Sequence, residues 1–211
     1  MIKRFAKSED GAAMVEMTVV STLLFALVLG FVDFGNAFYQ WNAATKAVQV
    51  GARLASISNP VATALATAAP IATPGAPVVA AAYGPFVCTY TAGAGACSNG
   101  GAFDAANFSR IFRGDTANTN DDACPALVTG QRPGMCHFFP RLHRDNVVVT
   151  YSATGLGYQT RLGGPVPTIT VSLQNVTFQF FFLQGLMGFA NITMPSMLST
   201  VTGEDLKSTS P

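Results

Sequence analysis

The chain has 211 residues, of which 49% are hydrophobic and only 11% charged, and its formal net charge is +1. The usual charged share is roughly 25%. This composition excludes a chain disordered throughout, and the near balance of 12 Lys+Arg with 11 Asp+Glu excludes a general electrostatic grip on nucleic acid.

The first predicted element is a membrane helix. Ala12 to Val32 is a run of 21 residues with a single charge, Glu16. As a helix it spans about 31 Å, which matches the roughly 30 Å hydrocarbon core of a bilayer. Lys3, Arg4 and Lys7 precede it, and the next positive residues are Lys46 and Arg53. That asymmetry places the N-terminus in the cytoplasm and the C-terminal bulk outside it. A cleaved secretory signal fits poorly, because its apolar stretch is shorter and ends at a small-residue site. Here the run passes directly into a helical seam: Phe34, Phe38, Trp41, Thr45, Val48, Ala52 and Ala55 alternate spacings of 4 and 3. The helix is expected to continue to about Ser58, where Asn59-Pro60 stops it. Outside the membrane the seam can cover the protein's own β-rich domain or meet a partner helix, along different parts of the rod.

Glu16 is the costly residue of the span. A carboxylate at mid-bilayer costs on the order of 2.5–3.5 kcal/mol, less near an end. Cleavage after Gly11 would give Ala12 a new α-ammonium group at i, i+4 from Glu16. That amine is a natural counter-ion, in the same chain or in a neighbour. The other reading is that Glu16 marks the membrane boundary, and spacing alone leaves both open.

Gly11, four residues, Glu16 and a long apolar helix resemble the type IV prepilin and pseudopilin signature. The fuller stretch is similar to the TadE-like proteins of tight-adherence (Flp) pilus systems. The matching pieces are Gly11-Ala12-Ala13, Val15-Glu16, Val32-Asp33-Phe34-Gly35, Ala37-Phe38-Tyr39, Gly51-Ala52-Arg53 and Ala55-Ser56, with Gly203-Glu204-Asp205 near the end. Two positions depart from the family pattern: Met17, where an aromatic residue is common, and Asp10, where a basic one is. The resemblance implies a minor pilin or pseudopilin, cut by a prepilin peptidase between Gly11 and Ala12 and then assembled with other pilin-like subunits on a pilus platform. It implies that Glu16 serves processing or subunit registry.

Residues 60–85 are rich in Ala, Pro, Val and Thr and carry no charge. They read as an Ala-rich piece, helical from Val61 to Ala69, and then a Pro-Gly linker around Pro70, Pro74, Gly75 and Pro77. Gly84 to Arg144 reads as loop-rich and holds all four cysteines, Cys88, Cys97, Cys124 and Cys136. Their spacings of 9 and 12 match no C-x-x-C metal or redox motif. In an exported segment they read as two disulfides. Of three connectivities, Cys88–Cys97 with Cys124–Cys136 is favoured because each closes a short loop. Arg113-Gly114-Asp115 is a common tripeptide with little claim to an adhesive role. Asp115, Asp121 and Asp122 lack the spacing of a calcium loop. His137 and His143 would need free thiolates nearby to make a zinc site, so no metal and no cofactor is expected.

Two strands are predicted: Val147 to Tyr151, and Ile169 to Leu173 with alternating Thr170, Ser172 and Gln174. After Gln174-Asn175 the phase slips, so that Val176, Phe178 and Phe180 share a face, as a β-bulge would produce. Phe180-Phe181-Phe182-Leu183 and Leu186-Met187-Gly188-Phe189 form a second apolar cluster, too short to span a membrane. Core burial is its leading reading, and a membrane-surface or subunit contact the alternative. Asn107, Asn175 and Asn191 head N-x-S/T triplets, which matter only in a glycosylating host.

The expected fold class is α+β: a long N-terminal transmembrane helix continuing outside the membrane, with a small antiparallel β-rich, disulfide-stapled head. Its parts are a cytoplasmic leader (1–11), the transmembrane and exported helix (12–58), an Ala/Pro-rich linker (59–85), the head (86–202) and a polar tail (203–211). The expected function is that of a structural pilin-like subunit for assembly of a tight-adherence pilus and its associated secretion or adhesion. It would reside in a bacterial inner membrane as a single-pass protein. The alternative is a membrane-anchored binding module such as an adhesin. An anchored enzyme is less favoured, because no G-x-S-x-G, H-E-x-x-H or P-loop pattern occurs.

Overall fold

A helix as long as the sequence predicts opens the computed structural model, which describes residues 9–68, 73–117, 122–159, 164–188 and 192–204. Helix α1 runs Glu9–Ser56 without a proline. It stops two residues before the expected Ser58, and Ser56 Oγ donates to the Arg53 carbonyl at 2.8 Å in the last turn. Several sequence expectations lie outside the described residues: Lys3, Arg4 and Lys7, the Ala69-Pro70 junction, Asp121, Phe189, Asn191, and the tail from Asp205 on.

The chain divides into two compact units. The first combines the helix as far as Gln40 with Thr177–Thr193, and the second comprises Trp41–Val176 with the segment from Met194 on. In the second unit a five-stranded antiparallel sheet has the order β2-β1-β3-β4-β5. Strands β1 (Phe86–Thr91) and β2 (Ala94–Cys97) form a hairpin in which Thr91 faces Ala94. Its two loop residues, Ala92 and Gly93, both have positive φ, the geometry whose twist suits adjoining strands. Strand β3 (Val147–Ser152) pairs with β1 and with β4 (Thr168–Leu173), and β5 (Leu198–Thr202) closes the other edge.

The central strands bury alternate residues: Phe86, Cys88 and Tyr90 on β1, Val147, Val149 and Tyr151 on β3, and Ile169, Val171 and Leu173 on β4. Helix α2 (Ala105–Phe112) buries Phe108, Ile111 and Phe112, and Asp104 caps it by accepting from the Asn107 N–H at 2.9 Å. The rings of Tyr90, Phe108 and Phe112 stack in series, with centroids 5.9 and 6.2 Å apart. The end of α1 lies in the same unit and buries Ala44, Ala47, Val48, Ala52, Leu54 and Ala55. A Cβ on Gly51 would stand 2.5 Å from the Met135 sulfur, so any larger residue there has to displace that buried side chain. Met135 opens the one-turn helix α3 (Met135–Phe138).

The α+β architecture and its antiparallel sheet follow the sequence reading, with local differences. Gly84 to Arg144 is loop-rich as expected, but it also contains β1, β2 and α2, which the sequence reading did not place there. Strand β2, Ala-Gly-Ala-Cys, carries no apolar alternation and owes its place to pairing with β1. The expected helical piece from Val61 is a 3-10 turn over Thr63–Thr67. No bulge prolongs β4: the strand ends at Leu173, Gln174 N–H donates to the Asn146 carbonyl at 2.8 Å, and Asn175 takes φ 55°. The phase slip in the sequence is therefore the chain leaving the sheet.

Candidate functional site

The membrane-length helix is the first candidate. Its apolar window is wholly unburied by the rest of the protein, and Met14, Val15, Met17, Leu23, Phe25 and Phe31 are all exposed. Water does not tolerate so large an apolar surface, which requires lipid or other apolar helices. Four polar side chains interrupt the run. Three satisfy themselves by bonding the carbonyl one turn back: Thr18 to Met14 at 2.7 Å, Thr22 to Thr18 at 2.8 Å, and Ser21 to Met17. Glu16 is different. It is helical and exposed, and among the described residues no hydrogen bond or ion pair reaches its carboxylate. Gly11 and Ala12 are also helical and exposed, and Ala12 precedes Glu16 by four residues, one turn of the same face.

Of the seam residues, Phe34 and Phe38 are exposed, Trp41 is half-buried and Val48 is buried. A second face, which sequence reasoning overlooked, carries Asp33, Asn36 and Gln40 at i, i+3 and i+7. Asp33 and Gln40 are buried although polar. Asp33 accepts three backbone N–H bonds, from Phe181 at 2.8 Å, Phe182 at 2.9 Å and Leu183 at 2.6 Å. These N–H groups open the short helix α4 (Leu183–Met187), which has no capping side chain of its own. Asp33 thus supplies from a distant part of the chain what a local N-cap supplies elsewhere. Gln40 pairs with both backbone groups of Gln179, donating at 2.9 Å and accepting at 3.0 Å, and Asn36 donates to the same carbonyl at 3.0 Å. The signal was present as polar residues at helical spacing immediately beyond the apolar run.

The other sequence candidates are structural. The disulfides are Cys88–Cys97 and Cys124–Cys136. The sulfurs of Cys124 and Cys136 and a ring nitrogen of His137 lie within 4.8 Å of one another, but the cysteines are bonded and offer no thiolate. The His137 ring accepts from the Gly134 N–H at 3.1 Å and lies 2.9 Å from the Pro125 carbonyl. The tripeptide Arg113-Gly114-Asp115 is turned inward: Asp115 accepts from Arg113 Nε at 3.3 Å, Ser109 Oγ at 3.1 Å and the Ala117 N–H at 3.1 Å. Asp122 holds His143 Nδ1 and the Arg144 N–H, each at 2.8 Å. A cleft of about 670 Å³ at the end of α1 presents Lys46, Arg53 and Arg132 with one carboxylate among the described residues, Glu204. That lining suits anionic groups and contains no nucleophile–histidine pair.

Residues 11–53 match the family model described as TadE-like protein. The match falls within helix α1, and the sheet-bearing remainder lies outside it. No curated protein and no solved structure matches the chain.

Proposed function

We propose that this chain is a pilin-like subunit that takes part in assembly of a tight-adherence pilus, its TadE-like helix being the assembling element. The TadE-like family is concerned with Tad pilus assembly and is structural rather than catalytic. The observation that carries the finer reading is the Glu16 carboxylate, without a hydrogen bond or ion pair among the described residues, on a lipid-length run whose other polar side chains bond the carbonyl one turn back.

In this reading the N-terminus is cytoplasmic and the sheet-bearing unit is exported. A prepilin peptidase hydrolyses the Gly11–Ala12 bond. Water is consumed, Gly11 leaves with a new carboxylate, and Ala12 keeps a new α-ammonium group. The Glu16 carboxylate then pairs with that amine or with the amine of a neighbouring subunit. Pairing offsets the cost of holding a charge in apolar surroundings and fixes the register between helices. Exposed apolar residues of the helix supply lateral packing once it leaves the lipid.

The test is the intact mass of the protein made with and without the peptidase of its own assembly system. Loss of residues 1–11 only when the peptidase is present supports the reading, and an uncut chain in the competent host refutes the processing step. Glu16→Ala should then reduce recovery in sheared filaments while leaving membrane insertion unchanged.

A further inference from the structure

We propose that the Phe181-Phe182 corner, together with Phe34, which follows Asp33 at the end of the apolar run, is an interfacial anchor that lies in the headgroup layer of the bilayer. It rests on the reading that Ala12 to Val32 spans the membrane. Asp33 is the first residue after that run, and its carboxylate fixes the N–H groups of Phe181, Phe182 and Leu183. The corner is thereby held at the level where the hydrocarbon ends. Each headgroup layer is about 5–8 Å thick, or three to five residues of helix rise, so the corner falls within it.

Three further observations select lipid as the occupant. Phe181 and Phe182 are 66% and 42% exposed, and Phe34 is exposed too. Phe rings on a segment lying in the interface gain by leaving water for the boundary between headgroups and acyl chains, about 5–10 Å deep. The segment Thr177–Thr193 has no charged residue, so its entry into the headgroup layer desolvates no ionised side chain of its own. Its backbone is also prepaired. Gln40 and Asn36 satisfy Gln179, Asp33 satisfies 181–183, and Phe178 N–H donates to the Ile192 carbonyl at 2.8 Å. Entry into a low-dielectric layer therefore leaves these groups satisfied, which is the condition for irregular backbone near lipid. Asp33 itself is buried and shielded by its three donors. The anchor gives the chain a second membrane contact and sets the depth of the helix, and with it the depth of Glu16.

The chain has one tryptophan, Trp41, so a single-tryptophan probe is straightforward. Full-length Trp41→Phe protein carrying Phe182→Trp is reconstituted in phosphatidylcholine vesicles containing acyl chains brominated near the headgroup or near the terminal methyl. The expected result is blue-shifted emission, quenched about twofold more by the shallow label than by the deep one. Trp41→Phe with Phe25→Trp serves as the reference and should be quenched most by the deep label. A quenched Phe25→Trp with an unquenched Phe182→Trp overturns the anchor, whether the residue-182 emission is red-shifted by water or blue-shifted under a second copy of the chain. An unquenched Phe25→Trp instead overturns the spanning reading on which the anchor rests.

Discussion

Asp33 joins parts of the chain 150 residues apart with one carboxylate. Hydrogen bonds to a charged group are each worth about 1.5–3 kcal/mol net, so three outweigh ordinary neutral contacts of the same number. Asp33→Ala should accelerate amide exchange at Phe181, Phe182 and Leu183 on the order of 10–100-fold while the sheet amides keep their protection, as hydrogen-exchange mass spectrometry would read. Arg144 is a second buried polar residue with a defined setting, its guanidinium 5.6 Å from the ring centroids of both Tyr90 and Phe112. Arg144→Ala should cost about 2–3 kcal/mol in a denaturant titration, and Arg144→Lys should recover little, because an ammonium cannot stack as a flat guanidinium does. At Asp115, burial alone would raise the carboxyl pKa, but bonds from Ala117, Arg113 and Ser109 outweigh it and hold the group below its ordinary value. A depressed folded pKa stabilises the fold above the unfolded value of about 3.9 and loses that contribution as pH falls through the folded one. The stability gap between the natural protein and Asp115→Asn should therefore be widest near neutrality and close in acid.

Among the elements, the hairpin β1–β2 depends most on a covalent link. Its outer strand has four residues, exposed and half-buried in alternation, and Cys97 lies directly opposite Cys88. Replacing both with serine removes a short-loop constraint worth about 2–3 kcal/mol, and should show as a lower melting temperature and early exchange of the Ala94–Cys97 amides. Helix α1 is legible from sequence almost to its last residue, since length, apolar run, seam and the Asn59-Pro60 stop agree. Strands β3 and β4 are legible for the same reason, their alternation being long and β-branched. Strands β2 and β5 are not: one is Ala-Gly-rich and the other, Leu-Ser-Thr-Val-Thr, lies at the sheet edge with little to bury. Helix α2 falls between these cases. Asp104 and the spacing Phe108, Ile111, Phe112 are a correct cap and stripe, but eight residues are too few to stand out against Gly-rich surroundings.

For the molecule as a whole, composition has a spatial meaning. Apolar residues are exposed along the helix from Ala12 to Val32, whereas those of the central strands, α2 and the end of α1 are buried in the sheet-bearing unit. A peptidase-processed chain would start at Ala12, and on the proposed reading Glu16→Ala should separate insertion from assembly, because insertion needs only apolar area whereas the proposed register rests on the Glu16 ion pair. The sequence by itself determined what local pattern can encode: a membrane-length helix with one costly acid, a disulfide-bearing segment, two core strands and the TadE-like stretch. Only the tertiary structure decided that Asp33, Asn36 and Gln40 hold a segment some 140 residues away, that Phe180 is buried while Phe181 and Phe182 are exposed, and that Arg113-Gly114-Asp115 closes on itself. Those outcomes depend on which hydrogen-bond partners distant residues find. Neither spacing nor propensity carries that information, because the donors and acceptors come together only when the chain has folded.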